Sequence, residues 1–220
     1  KPVAIHCDDP DIISRHGYVI EAEVEYLKKV IRIMRKVPGV KVVICHVSNR
    51  ESAELIIQAQ GQGLKIALEL APHYLWFDSE GKNWNKSLDP IYYHCYNKLR
   101  TPEHREYLVS LLKKDDVFII IGSDDASHTA EEKISKGYGG LPGNQEMVAA
   151  IVTLAIKNGI SEKRLAQLLS FNAAKFLNIP VERSLAEYGL VEKIDDLKYN
   201  NSKIINPWNG LRLLFPMSIK

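Results

Sequence analysis

The stretch Val117-Phe118-Ile119-Ile120-Ile121-Gly122-Ser123-Asp124-Asp125-Ala126-Ser127-His128-Thr129 decides how this chain is read. Val117 to Ile121 is an unbroken β-branched and aromatic run, the pattern of a parallel strand covered on both faces. It stops abruptly in a carboxylate pair and a histidine. Thr129 with Glu132 three residues on has the capping-box spacing, which predicts a helix start there. Asp124, Asp125 and His128 therefore fall in the loop at the C-terminal end of a strand, where α/β sheets and barrels gather ligands and chemistry.

Outward from that stretch the same rhythm repeats. Val3-Ala4-Ile5 reads as a strand ending in the polar turn His6-Cys7-Asp8-Asp9-Pro10. Ile20, Val24, Leu27, Val30, Ile31 and Met34 recur at helical spacing, which predicts an amphipathic helix over 20–37, stopped by Pro38-Gly39. The strand Val40 to Cys45 leads to His46, and Ser48 or Asn49 caps a helix running to about Gln60. A third strand, Leu64 to Leu70, leads to His73. Residues 78–99 are irregular and aromatic, and Thr101-Pro102 opens the helix that feeds the Val117 strand. Alternation of strands and helices implies a parallel α/β sheet with right-handed crossovers. Beyond it, Gly139 to Gly143 forms a rigid loop before helices at about 145–158, 162–170 and 172–177. Residues 181–220 carry weak periodicity and many turn formers, and are expected to be an irregular tail with short strands.

Composition narrows the function. With 29 basic and 27 acidic side chains the formal charge is +2, which makes no electrostatic case for nucleic acid or anionic membrane as a partner. No apolar run approaches the roughly 20 residues of a membrane helix. Three cysteines lying in or beside apolar segments argue against a disulfide framework, so a reducing cytoplasm is the expected compartment. The chain opens at Lys1 and enters a strand at once, which is expected of a piece of a longer protein.

The strand ends carry the chemistry. Four successive strands lead into His6, His46, His73 and Asp124 with His128, and in a closed βα barrel such ends share one mouth. Neutral imidazoles and a carboxylate are the donors a Zn²⁺-type ion takes, and a carboxylate beside the nucleophile can shuttle its proton. Taken singly, a strand-end histidine is commonly a hydrogen-bonded structural residue, and an aspartate there is commonly a cap or turn former. Cys7 and Cys45 adjoin the two histidines, but strand alternation points them to the opposite face, so they are expected to pack and not to ligate.

Together these segments resemble the dihydroorotases of the amidohydrolase superfamily. His6-Cys7-Asp8-Asp9 resembles that family's HCED strand end, His46-Val47-Ser48 its HVS, and Glu69-Leu70-Ala71-Pro72-His73-Tyr74 its EVTPHH. Asn97-Lys98-Leu99-Arg100-Thr101 resembles the end of NPPLRT, and Ser123 to Thr129 resembles SDHAPHT. Gly140 to Gly143 resembles GIPG, and Asn172 to Lys175 resembles NPAR. The resemblance implies the C-terminal half, strands five to eight, of a (β/α)8 TIM barrel over residues 1–180, with 181–220 a remnant of the family's small β-domain. It implies reversible metal-dependent cyclisation of N-carbamoyl-L-aspartate to L-dihydroorotate in pyrimidine biosynthesis, with one or two Zn²⁺ ions. His6, His46 and Asp124 are then the metal ligands, and Asp124 is also the catalytic acid and base. His128, Asn97, Arg100, Leu141, Pro142 and Gly143 are then the substrate contacts. Implied partners are the N-terminal half-barrel of the same protein, needed for activity, and a homodimer or an association with aspartate transcarbamoylase.

The sequence departs from the family's pattern where Asp125 and Ser127 replace a histidine and a proline. Its HxH strand has no counterpart in these residues. Two alternatives stay open at this level. One is a hydantoinase or allantoinase on the same barrel, which His128 and Arg100 disfavour by fitting an acidic substrate. The other is an inactive scaffold subunit of aspartate transcarbamoylase, which would have no need of His6, His46, Asp124 and His128.

Overall fold

The structure, a computed structural model, describes residues 1–181, 188–194 and 203–218. Four short strands, β1 (Val3–Ile5), β2 (Lys41–Ile44), β3 (Lys65–Leu70) and β4 (Ile119–Ile121), pair in parallel in the order β1-β2-β3-β4. Register is continuous across the sheet: Val43 lies beside Ala4 and Ala67, and Leu68 beside Ile119. Sequential order means each crossover places its strand next to the last, the order that a βα barrel requires. A doubly wound sheet would reverse direction at its middle.

Strand alternation separates the two faces. Val42, Ile44, Ile66, Leu68, Ile119 and Ile121 join the main core with Leu27, Val30, Ile31 and Met34 of helix α2 (Ile20–Lys36). Ala53, Ile56 and Ala59 of α3 (Arg50–Gly61) and Leu108 and Leu111 of α5 (Pro102–Leu111) complete that side. Val43, Ala67 and Ile120 point the other way, into a small cluster closed by Phe176. Burying a side chain of this size contributes on the order of 1.5–3 kcal/mol, so the helix-covered face dominates the fold's stability. The strand β1 is the exception, with Val3 48% exposed at the open edge.

Local signals explain most boundaries. Asn49, not Ser48, caps α3 by accepting the Ser52 N–H at 2.9 Å. Thr129 and Glu132 form the reciprocal capping box of α6 (Ala130–Lys136). Two short helices escaped the sequence reading. The first, α1 (Pro10–His16), capped by Asp9, buries none of its side chains and so leaves no periodicity. The second, α4 (Pro72–Trp76), is buried at all five positions and equally lacks a polar face. Helix α7 (Met147–Asn158) ends at left-handed Gly159. After it, α8 (Glu162–Ala166) passes through one wide π turn into α9 (Asn172–Leu177). Asn172 begins α9 as expected, and its side-chain amide donates to Ile119 O of β4 at 2.8 Å.

Among the described residues of the tail, the expected short strands are present. Strands β5 (Tyr188–Ile194) and β6 (Arg212–Ser218) pair antiparallel, and the Leu214 N–H donates to Thr153 Oγ1 of α7 at 2.7 Å. What the sequence reading placed at 182–187, 195–202 and 219–220 lies outside the described residues.

Candidate active site

Each strand hands its last residues to the same end of the sheet. The His6 ring follows β1 and the His46 ring follows β2, with ring centroids 4.5 Å apart and His46 Nε2 2.5 Å from His6 Nδ1. His46 has φ 40° and Asp124, after β4, has φ 45°. For side chains other than glycine this left-handed backbone costs about 1–2 kcal/mol per residue, and such strain gathers at functional sites. The turn at His46 is held by Glu69, whose Oε1 accepts the His46 N–H at 3.3 Å. Glu69 can lie there only because residue 122 is glycine, since a Cβ on Gly122 would stand 2.6 Å from the Glu69 carboxyl carbon.

Burial sets the protonation of this cluster. It lowers His46, with the neighbouring His6 adding to the effect, and lowers His73 to about 3. Both imidazoles are therefore neutral near pH 7, the form that ligates metals or accepts protons. Burial raises Asp124 to about 6, with His6 opposing and Asp125 and Asp8 reinforcing. Burial likewise raises Asp8 and Glu69, against the pull of His46. A carboxyl shifted towards neutrality can both take and return a proton at physiological pH.

The expected ligands are brought only partly together. His6 and His46 meet, but the Asp124 carboxylate lies 3.5 Å from His73 Nε2. Among the described residues, no three His, Cys, Asp or Glu side chains form a ready metal-binding group. The donor chemistry nevertheless fits a Zn²⁺-type ion. Imidazole nitrogens of His6 and His46 face one another, and His73 Nε2, in a side chain 1% exposed, has no hydrogen-bond partner. Asn97 Nδ2 lies 3.2 Å from His46 Nδ1. Were the amide turned so that its oxygen faced Nδ1, the ring would carry its proton there and free the Nε2 lone pair, the usual tautomer of a ligating histidine.

The expected substrate contacts lie in four places. Asn97 is buried against His46, with its carbonyl accepting the Tyr74 hydroxyl at 2.5 Å. Arg100 turns inward, donating Nε to Ser48 Oγ at 3.0 Å and Nη1 to Tyr18 O at 2.9 Å, while Nη2 is buried without a partner. Ser48 in turn donates to the fully buried Glu23 at 2.6 Å. His128 lies 3.9 Å from Glu132 and packs on Tyr138. Leu141, Pro142 and Gly143 run beside the end of β4, with Leu141 O accepting the Ala126 N–H at 3.0 Å. The Gly143 N–H donates to Asp125 Oδ1 at 2.8 Å.

Asp8, Glu69 and His73 belong to the same cluster, although the expected ligand set omits them. His73 was visible as a strand-end histidine; Asp8 and Glu69 carried no spacing signal of their own. Cys45 is half-buried, and burial, with Glu69 and Asp124 within electrostatic reach, raises its thiol to about 11. Cys7 is buried in the core, as expected.

Comparison with known proteins bears on this arrangement. The amidohydrolase family matches residues 1–183. A dihydroorotase of Clostridium botulinum is 33% identical over 188 residues, covering 81% of this chain and 44% of that protein. One from Thermoanaerobacter is 31% identical over 215 residues, covering 92% and 48%. One from Pyrococcus abyssi is 32% identical over 178 residues, covering 80% and 41%. The chain thus spans about half the length of the curated relatives it matches. Among solved structures, Saccharomyces cerevisiae dihydroorotase in complex with 5-fluoroorotic acid superposes with TM-score 0.74 at 16% identity, over 91% of this chain and 58% of that one. An L-hydantoinase from Arthrobacter aurescens gives 0.73 at 20% identity, over 97% and 55%. At such identities the structural likeness speaks for the fold alone.

Proposed function

This chain belongs to the amidohydrolase family, and from that membership we propose that it serves the reversible cyclisation of N-carbamoyl-L-aspartate to L-dihydroorotate. The observation that carries the reading is the meeting of His6 with His46 beside the raised carboxyl of Asp124, all at the C-terminal ends of parallel strands. The curated relatives named dihydroorotase support the choice of substrate.

In this proposal His6 and His46 hold a divalent ion of the Zn²⁺ type, with Asp124 as the third donor. Such an ion, when bound, supplies Lewis acidity to the amide carbonyl. Asp124 takes the proton of the attacking water and returns it to the ring nitrogen as the amide opens, and runs the same transfer backwards in cyclisation. His73, kept neutral by burial, orients the Asp124 carboxyl. Asn97 sets the tautomer of His46. Arg100, through its unpartnered Nη2, and His128 receive the substrate's carboxylate, and the main chain at Leu141 to Gly143 lines the same opening.

The four-stranded arc, with β1 and β4 as open edges, is on this reading half of a (β/α)8 barrel whose other half completes the active unit. The test is turnover of dihydroorotate, hydantoin and allantoin by the intact protein, with metal content measured on the same sample. Dihydroorotate turnover with bound metal is the expected result. Preference for hydantoin would replace the substrate assignment, and a metal-free, inert protein would leave only a scaffold role. The 220-residue chain alone is expected to show no turnover until the complementary half is supplied.

A further inference from the structure

The described residues 203–214 run back across the βα body. Lys203 O accepts the Ala130 N–H at 3.4 Å, and Ile204 bridges to Thr129 at the start of α6. Asn206 Nδ2 donates to the fully buried Glu146 at 2.7 Å. Trp208, fully buried, packs its ring on Phe77 with centroids 4.8 Å apart and donates its indole N–H to Pro142 O at 2.9 Å.

That last bond reaches the loop beside the Asp124 strand end. The loop is gripped from several sides, His94 O accepting the Gly140 N–H at 2.9 Å. Lys133 Nζ of α6 donates to Gly140 O at 2.6 Å, Asp125 accepts the Gly143 N–H, and Trp208 donates to Pro142 O. The fit is close, because a Cβ on Gly143 would stand 2.5 Å from Ser123 O. Asp125 belongs to the β4–α6 connection, Lys133 to α6, and His94 to the irregular segment before α5. Trp208 is the grip supplied by the C-terminal segment.

We propose that Trp208 is a positioning residue for the active-site mouth: through Pro142 the C-terminal segment sets how the main chain of residues 140–143 is presented to the substrate. This rests on the reading above, in which that loop lines the substrate opening.

The test is Trp208→Phe in the intact protein, which removes the N–H and keeps an aromatic ring. KM for dihydroorotate is expected to rise roughly fivefold, the effect of one lost hydrogen bond, with kcat changed less than twofold. Hydrogen exchange of a peptide spanning 139–144 is expected to quicken while that of α7 stays the same. An unchanged KM, or unchanged exchange in that peptide, overturns the proposal. Exchange needs no turnover, so the two readings fail separately. Faster loop exchange in an intact protein inert towards dihydroorotate keeps the strap and removes the activity reading; unchanged exchange removes the strap whatever the substrate. Should the phenylalanine variant not fold, 3-benzothienylalanine at position 208 replaces only the N–H by sulfur, and the same two measurements decide.

Discussion

The two ends of the parallel sheet are built by different rules. At the N-terminal ends of the strands, Gln60 clips β3 to the approach of β4, donating to Ile66 O and Phe118 O and accepting from the Phe118 N–H. Lys41 there caps the end of α9 by donating to Phe176 O and Asn178 Oδ1. A groove of about 660 Å³ lies between these groups, but its lining offers no cluster of acids and histidines. At the C-terminal ends the order inverts. His46 and Asp124 have left-handed backbone, His73 Nε2 makes no hydrogen bond, and the neutral imidazoles of His46 and His73 crowd raised carboxyls. Left-handed backbone occurs at both ends, since Asn178 at the N-terminal ends has φ 58°. What separates them is that the C-terminal ends leave buried polar groups without hydrogen bonds beside their strained turns, the pattern that points to a ligand or a reaction.

The sharpest way to break this comparison is Asp124→Asn in the intact protein. Turnover is expected to fall by at least about 10³-fold, the scale of a lost proton shuttle, with the circular-dichroism spectrum unchanged. A near-normal rate would reduce the C-terminal end to another structural surface.

Lys133 tests whether burial of charge at that end carries a stability cost. Its amine meets only the carbonyls of His94 and Gly140, and burial lowers it to about 8 from the ordinary 10.5. Below pH 8 both folded and unfolded chains carry the proton, and the folded chain bears the cost of burying it. Between pH 8 and 10.5 the folded chain loses its proton first. Stability should therefore rise with pH across that window, by about 3 kcal/mol at most. Denaturant midpoints across it should climb for the native sequence relative to Lys133→Met.

The opposite end is probed by Gln60→Ala. Loss of the clip leaves the Phe118 N–H, just before β4, without its Gln60 partner and should lower unfolding free energy by roughly 1–3 kcal/mol. Turnover per folded molecule should stay the same. A selective loss of activity would mean the two ends are not independent. The smallest effect expected is for Thr129→Ala, which removes one side of a capping box and should cost about 1 kcal/mol in thermal unfolding.

Much of this was legible before any coordinates. The β-branched runs, the Thr129–Glu132 box, the Asn49 cap and the Thr101-Pro102 start all act within a few residues of chain, so composition and spacing report them directly. Helices α1 and α4 were not legible, because one buries nothing and the other everything, and a pattern needs both kinds of side chain. For the site, the residue types at the strand ends were readable, but their meeting was not. The left-handed turn at His46 was not readable either, because its N–H is held by Glu69, more than twenty positions later.

The sequence by itself determined the alternating α/β order, the identity of the polar groups at each strand end and the resemblance that gives them a chemistry. These rest on local backbone preference and on side-chain type. Only the tertiary structure decided that His6 faces His46, that Asp124 turns to His73, that Arg100 folds inward, and that Trp208 reaches the Pro142 loop. Each of those depends on which distant segments share a buried space, where loss of water fixes protonation and leaves each polar group only the partners packed against it.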